Sequence, residues 1–381
     1  MSTAVSSKLD SVGWDFKDAP TRNGSHSIHP YPAKFIPLIP KNLIELFYPG
    51  DGSKILDPFC GSGTTLVESM NMGIDSVGID LHPLAALIAK VKTTPISADL
   101  LAIGKQVSIS AQKKVSEQAV SIPEIPNVDH WFQKHIQIAL AVLISEINSI
   151  EDSDISNALK VAFSSIVVRV SNQDSDTRYA AIEKNVTQVD VWNHFERAAK
   201  SVGLVVSGIG EELFSNRPQI KIITKDLMQV EPDEVGKGIG LVITSPPYPN
   251  AYEYWLYHKY RMYWLGMDPI AVREKEIGAR PHYFKKNHQT EEDFERQMER
   301  CFWLLSKVMI PNCYACFVVG RSIIHGRHID NEALLERAAR LHGFRKVGSV
   351  ARKIARNRKS FNLSHGKINE EGIMIFLLED K

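Results

Sequence analysis

The spacing of apolar positions changes character twice along the chain. Residues 53–92 read SKILDPFCGSGTTLVESMNMGIDSVGIDLHPLAALIAKVK. A short apolar run is followed by a glycine turn, a stretch with helical spacing, a second apolar run ending in Asp80, and another helical stretch. That alternation predicts a parallel α/β sheet. From about residue 94 to 218 the pattern turns to long amphipathic stretches, among them HWFQKHIQIALAVLISEI and NALKVAFSSIVVRV, and strand signals fade. The α/β pattern returns in QIKIITKDL (219–227) and GIGLVITSPPY (238–248), and again in CYACFVVG and EGIMIFLLE. The expected organisation is an α/β core built from residues 1–93 and 219–381, interrupted by a mostly helical insertion at 94–218. Ahead of the glycine turn, Pro30, Pro32, Pro37 and Pro40 predict an extended path poor in backbone hydrogen bonds.

Composition narrows the picture. At 381 residues the chain is too long for one compact unit, which suits a core with a large insertion. Lys and Arg total 45 against 44 for Asp and Glu, a net charge of +1. A polyanionic partner would therefore have to meet a local concentration of positive charge. The first twenty residues lack a basic start followed by an apolar run, and no stretch approaches the roughly 18 apolar residues of a membrane helix. A cytoplasmic protein with reduced thiols and no membrane partner is expected. Cys313 and Cys316, followed by His325 and His328, supply the letters of a zinc site. The spacing misses the usual finger pattern, and CYACFVVG reads as a buried strand, so no metal is expected.

Two segments carry chemistry. Asp57-Pro58-Phe59-Cys60-Gly61-Ser62-Gly63-Thr64-Thr65 follows an apolar strand and opens a helix. Its glycines allow a sharp turn and close approach of a ligand. Thr65 and Glu68 have capping-box spacing, which marks the helix start. Asp80, nineteen residues after Gly61, stands where dinucleotide-type folds place an acid against ribose hydroxyls. A nucleoside-containing cofactor is expected. No Lys follows the glycines as in a phosphate loop, and the run is not G-x-G-x-x-G. The second segment, Ser245-Pro246-Pro247-Tyr248, ends the strand GLVIT. Its prolines remove two N–H donors, leaving carbonyls and the Ser245 hydroxyl as acceptors beside an aromatic ring. This set suits a planar heterocycle with an exocyclic amine.

DPFCGSGTT followed by TSPPY resembles the nucleic-acid amino-methyltransferases that use S-adenosylmethionine. More narrowly, SPPY resembles the cytosine-N4 DNA methyltransferases of bacterial restriction–modification and related systems; adenine-N6 enzymes more often carry Asp or Asn before the prolines. HPYPAKF (29–35) resembles that family's N-terminal cofactor-contacting motif, and Asn250 with Glu253-Tyr254 echoes its N-x-x-D-Y run. The resemblance implies a Rossmann-like methyltransferase sheet, a DNA substrate and, in some systems, a cognate endonuclease. It implies that Ser245 and the carbonyl between Pro246 and Pro247 accept the two amine hydrogens while Tyr248 stacks on the base. Asp57, Phe59, Gly61 and Gly63, with Thr64 beside them, would contact the methionine part of the cofactor. Asp80 would hold the ribose and Asp226 the adenine amine, with Lys34 and Phe35 added from the N-terminal motif. In many relatives the tetrad precedes the glycine turn; here it follows, a permuted chain order compatible with the same sheet. Adenine N6 in DNA, a base in RNA, and an inactive nucleic-acid-binding scaffold are the alternatives.

A duplex base must be extruded before its amine can react. Residues 345–359 carry seven basic residues and no acid, and among them Arg352, Lys353, Arg356, Arg358 and Lys359 are expected at phosphates. Arg273, Arg280, Lys285 and Lys286, in a polar loop-like stretch after the tetrad, are expected near a groove. The aromatic run YEYWLYHKYRMYW (252–264) reads as a packed helix, with one or two rings bordering the base pocket.

Overall fold

The computed structural model describes residues 3–17, 24–32, 36–115, 120–176, 178–209, 217–249, 253–284, 286, 288–353 and 370–380. Lys34, Phe35, Asn250, Lys285, Arg356, Arg358 and Lys359 lie outside the described residues. The strands are β1 (Lys54–Asp57), β2 (Ser76–Asp80), β3 (Gln173–Ser175), β4 (Arg178–Ala181), β5 (Ile220–Thr224), β6 (Ile239–Thr244), β7 (Met309–Gly320), β8 (Ser322–Ile324), β9 (Arg327–Ile329), β10 (Phe344–Lys353) and β11 (Glu370–Leu378). Among the described residues the main sheet has seven strands in the order β10-β11-β7-β6-β1-β2-β5. All its pairings are parallel except those of β11, which runs antiparallel to both β7 and β10. This is the Rossmann-like α/β methyltransferase sheet that the residue pattern and the resemblance predict. The strand order reverses between β1 and β6, and in such sheets ligands bind beyond the strand carboxyl ends at that switch.

Both faces of the sheet are covered, as a parallel sheet requires. On one face lie α1 (Thr3–Asp10) and α2 (Leu38–Phe47), whose apolar sides pack on Ile55, Leu241, Ile243, Cys316 and Val318. The first helices of the α/β unit are α3 (Thr64–Asn71) and α4 (Pro83–Thr93). After α4 come α5 (Leu100–Val115), α6 (Val128–Trp131), α7 (Lys134–Asn148), α8 (Ser153–Val170) and α9 (Gln188–Ser207), with the hairpin β3–β4 between the last two. These helices share one apolar core, which continues into α4 and the aromatic helix after the tetrad. That aromatic helix follows α10 (Pro232–Val235) and is α11 (Tyr254–Trp264). Its Arg261 is wholly buried, donating to Ser164 O on α8 at 3.0 Å and pairing with Asp176. The stretch 271–290, read as loop-like, contains most of α12 (Pro269–Lys275) and all of α13 (Arg280–Phe284). The Asp268 carboxylate caps α12 by accepting from Ile270 N and Ala271 N, and Pro269 opens the helix. Finally α14 (Glu291–Val308) and α15 (Asn331–Leu341) cover the second face of the sheet, against Leu56, Val242 and Phe317. No helix among the described residues is long and apolar enough to cross a membrane.

The cysteines fall where a strand puts them. Cys313 and Cys316 lie three apart on β7 and pack into the cores on opposite faces of the sheet, which prevents them from sharing one ion.

Candidate active site

The turn after β1 is organised from inside by Asp57. This wholly buried carboxylate accepts from Phe59 N (3.1 Å), the Thr65 hydroxyl (2.7 Å) and the Thr244 hydroxyl (2.7 Å). It therefore joins the end of β1, the first turn of α3 and the end of β6. Burial pushes its carboxyl up to about 6, against the opposing pull of those three donors. The cofactor contact expected of Asp57 is corrected accordingly, because its oxygens point into the protein and are occupied there. The expected capping box is also absent. Thr65 bonds Asp57, Glu68 bonds His26 at 2.8 Å, and the N-cap is Gly63 at φ +81°. Gly63 does not line the cleft. A Cβ there would stand 2.8 Å from Ala89 Cβ on α4, so helix packing rather than ligand contact demands glycine. The wholly buried Lys92 donates to Ser62 O at 2.9 Å and braces the turn from behind.

The cleft opens at the switch between β1 and β6. Phe59, Gly61 and Thr64 of the turn, Asp80 after β2, Asp226 after β5, and Ser245 and Pro247 after β6 all line it. Seven of the expected site residues thus meet in one cavity, although 184 positions separate Gly61 from Ser245. Asp80 accepts from Gly61 N (2.7 Å) and His82 N (2.8 Å), one bond on each oxygen, and burial pushes it up to about 6. Asp226 accepts from Met228 N at 3.0 Å. Pro246 and Tyr248 are not among the lining residues, so the stacking expected of Tyr248 finds no place in this cleft. The Ser245 hydroxyl lies 3.4 Å from the Tyr248 hydroxyl, and the Tyr248 ring rests on Gly320, where a Cβ would come within 2.9 Å of Cε2.

Other lining residues escaped the sequence reading. Tyr31 and Tyr254 stack with ring centroids 5.8 Å apart, and Tyr31 also stacks on His258 at 5.0 Å. Both tyrosines sit inside motifs noted above, HPYPAKF and the run after the tetrad, so that signal was present. Glu276 had none. Its carboxylate accepts from Tyr254 N (2.7 Å) and Trp255 N (3.0 Å), capping α11 where that helix meets the cleft. Burial pushes Glu276 up to about 8 against those two bonds.

The expected DNA contacts divide. Arg280 and Lys286 are exposed, and Arg273 is partly so, with its guanidinium over the Trp255 ring. The basic stretch 345–353 is the edge strand β10, and three of its four cations are paired: Arg345 with Glu379, Lys346 with Glu332 and Glu336, Arg352 with Glu371. Arg352 is corrected, being 4% exposed with its Nε donating to Trp14 O. Lys353 is exposed. Charge on a sheet edge blocks strand addition from another chain, which gives much of this run a structural purpose.

The fold and cleft define an α/β protein with Asp80, Asp226 and Ser245 gathered in one cleft at the carboxyl ends of its central parallel strands. Residues 4–91 match the model of a family described as DNA methylase, the N6/N4 methylases. The chain is 28% identical over 256 residues to the type II methyltransferase M.MvaI of Kocuria varians, covering 62% of this chain and 56% of that protein. It is 24% identical over 290 residues to the type II methyltransferase M.BsoBI of Geobacillus stearothermophilus, covering 66% and 55%. The chain thus spans about half the length of these curated relatives. Among solved structures, a S-adenosylmethionine-dependent methyltransferase from Methanosarcina mazei aligns over 93% of this chain and 100% of its own, at 9% identity and a TM-score of 0.35.

Proposed function

We infer that the chain is an S-adenosylmethionine-dependent DNA methyltransferase that modifies the N4 amine of cytosine. One observation carries this: Ser245 and Pro247 line the same cleft as Gly61, Asp80 and Asp226. The residues present fit the cofactor. Asp80 and Asp226 offer acceptors for ribose hydroxyls and an adenine amine, between the apolar walls of Phe59, Leu81 and Leu227. Bound there, S-adenosylmethionine supplies an electrophilic methyl group on a sulfonium. The chain's own work is to make the target amine nucleophilic. Its lone pair is delocalised into the ring, and Ser245 Oγ with the Pro246 carbonyl would accept its two hydrogens and direct the lone pair outward. Tyr248, seated on Gly320, holds the tetrad in place, and transfer is a direct displacement driven by positioning and electrostatics. Ser before the prolines favours cytosine over adenine by the resemblance.

Methylation of random-sequence DNA by the purified protein, with base-resolved mapping, tests the reaction. N4-methylcytosine is expected, and N6-methyladenine alone would refute the choice of base. Ser245→Ala should lower the transfer rate about 10²–10³-fold while cofactor affinity stays unchanged. Equal loss of both would remove Ser245 from its assigned role.

A further inference from the structure

The geometry points to the hairpin β8–β9 as the element that enters the DNA groove beside the extruded base. The ribbon begins two residues after Gly320, the glycine beneath Tyr248, and so starts close to the tetrad. Its base is anchored. At the open end Ile329 is buried and the buried Asn331 donates from Nδ2 to Gly320 O (2.8 Å) and to Ser322 Oγ (2.7 Å), and beside the turn Ile324 is buried too, so one face of the ribbon lies on the core along its length. Its turn, His325-Gly326, has φ of +47° and +79°, the positive values that a tight two-residue hairpin uses.

The other face of the ribbon is open. Ile323 and His328 are cross-strand partners and both exposed, as are His325 and Arg327. No acidic residue occurs from 321 to 329. Arg321 meets Glu370 at 3.6 Å, whereas the side chains of Arg327 and His328 have no ion pair among the described residues. The tip joins a second basic element. His325 packs against Phe284 (4.9 Å) and His288 (5.2 Å), and the Arg280 guanidinium lies 5.3 Å from the Phe284 ring centre. Phe284 is half exposed and Lys286 follows it. Together these residues form a cationic and aromatic ridge across the tetrad's rim.

A two-stranded ribbon fits the major groove of B-form DNA, and Arg is the side chain best shaped to read guanine there. Phosphates flanking the groove complement the ridge's charge, which β10, with three of its four cations paired, does not offer to the same degree. The ribbon thus takes over the role first expected of the paired cations of β10. This proposal rests on the DNA methyltransferase reading, and it names the segment that finds the target.

The test uses the full chain and a labelled random-sequence duplex. Arg327→Ala and His328→Ala, both at exposed positions, should each lower duplex affinity about tenfold. They should leave circular dichroism and S-adenosylmethionine affinity unchanged, and Arg345→Ala on β10 should leave duplex affinity unchanged. Binding by both ribbon variants equal to wild type overturns the proposal. So does tighter ribbon-dependent binding to double-stranded RNA, whose deep, narrow major groove does not admit a ribbon. Ribbon-dependent DNA binding without methyl transfer would sustain the ribbon and sink the reaction. Methyl transfer with unchanged rate and site preference in the ribbon variants would do the opposite.

Discussion

Gly63→Ala separates the packing of the cofactor turn from its contact with ligand. An alanine at φ +81° pays a left-handed backbone penalty of about 1–2 kcal/mol. Its Cβ would also stand 2.8 Å from Ala89 Cβ and 3.1 Å from Ala89 Cα. Neither atom is the end of a flexible side chain, so α3 and α4 must separate, adding about 1–3 kcal/mol of overpacking. The expected loss is about 2–5 kcal/mol. Gly50 supplies the control, since its φ is +74° but a Cβ there meets nothing within 4 Å. Gly50→Ala should lose only the backbone share, about 1–2 kcal/mol. Ala89→Gly combined with Gly63→Ala should recover part of the difference as a coupling energy. Urea unfolding followed by circular dichroism measures five chains, wild type, Gly63→Ala, Gly50→Ala, Ala89→Gly and the double variant, with S-adenosylmethionine titration beside it. If Gly63→Ala is no more destabilising than Gly50→Ala but loses cofactor affinity, Gly63 is a ligand contact and the packing argument fails.

On the proposed reading Asp80, pushed up to about 6 by burial, accepts from ribose hydroxyls more strongly as a carboxylate than as a neutral acid. Cofactor affinity should therefore be level above pH 7 and fall by up to about tenfold per unit below 6, because protonation competes with binding. Calorimetric titration across pH 5–8 tests this, and an Asp80→Asn variant that keeps the same slope would assign it elsewhere. Arg352→Ala leaves the Glu371 carboxylate with no charged partner in a site where the two side chains are 5% and 17% exposed. Stability should drop by about 3–5 kcal/mol in urea unfolding. Duplex affinity of the protein that remains folded should be unchanged; a selective loss of duplex affinity would restore Arg352 as a phosphate contact.

The alternation of short apolar runs with helical stretches was enough to read the sheet, because β1, β2, β5, β6, β7 and β11 are local patterns bounded by turns. The pairing of Gly61 with Asp80 was legible through motif spacing, and the meeting of both with Asp226 and Ser245 through the family resemblance. Side-chain direction was not. Asp57 carries the motif's acid, yet it turns inward because two threonine hydroxyls, one of them 187 positions away, need an acceptor. Gly63 looked like a ligand glycine because its neighbour Ala89 is far along the chain. The run 345–353 looked like a phosphate patch because its acids come from two other segments, Glu332 and Glu336 from α15 and Glu371 and Glu379 from β11 and its end. Glu276 had no signal at all, since capping α11 across 22 positions leaves no local spacing.

The Asp57 knot bears on how such a protein could be rewired. The ends of β1 and β6 are fastened by hydrogen bonds through space, not by the peptide that runs between them. The geometry of the cleft is thus independent of which end is synthesised first. At the far side of the sheet, α1 lies against β10, where Val5 and Leu9 fill the space above Gly348, and β10 pairs with the last strand, β11. A chain cut elsewhere and spliced across that neighbourhood could place the proline tetrad ahead of the glycine turn and still close the same pocket. A permutation of that kind would leave the hydrogen bonds of Asp57 in place while moving every boundary at which new segments can be inserted.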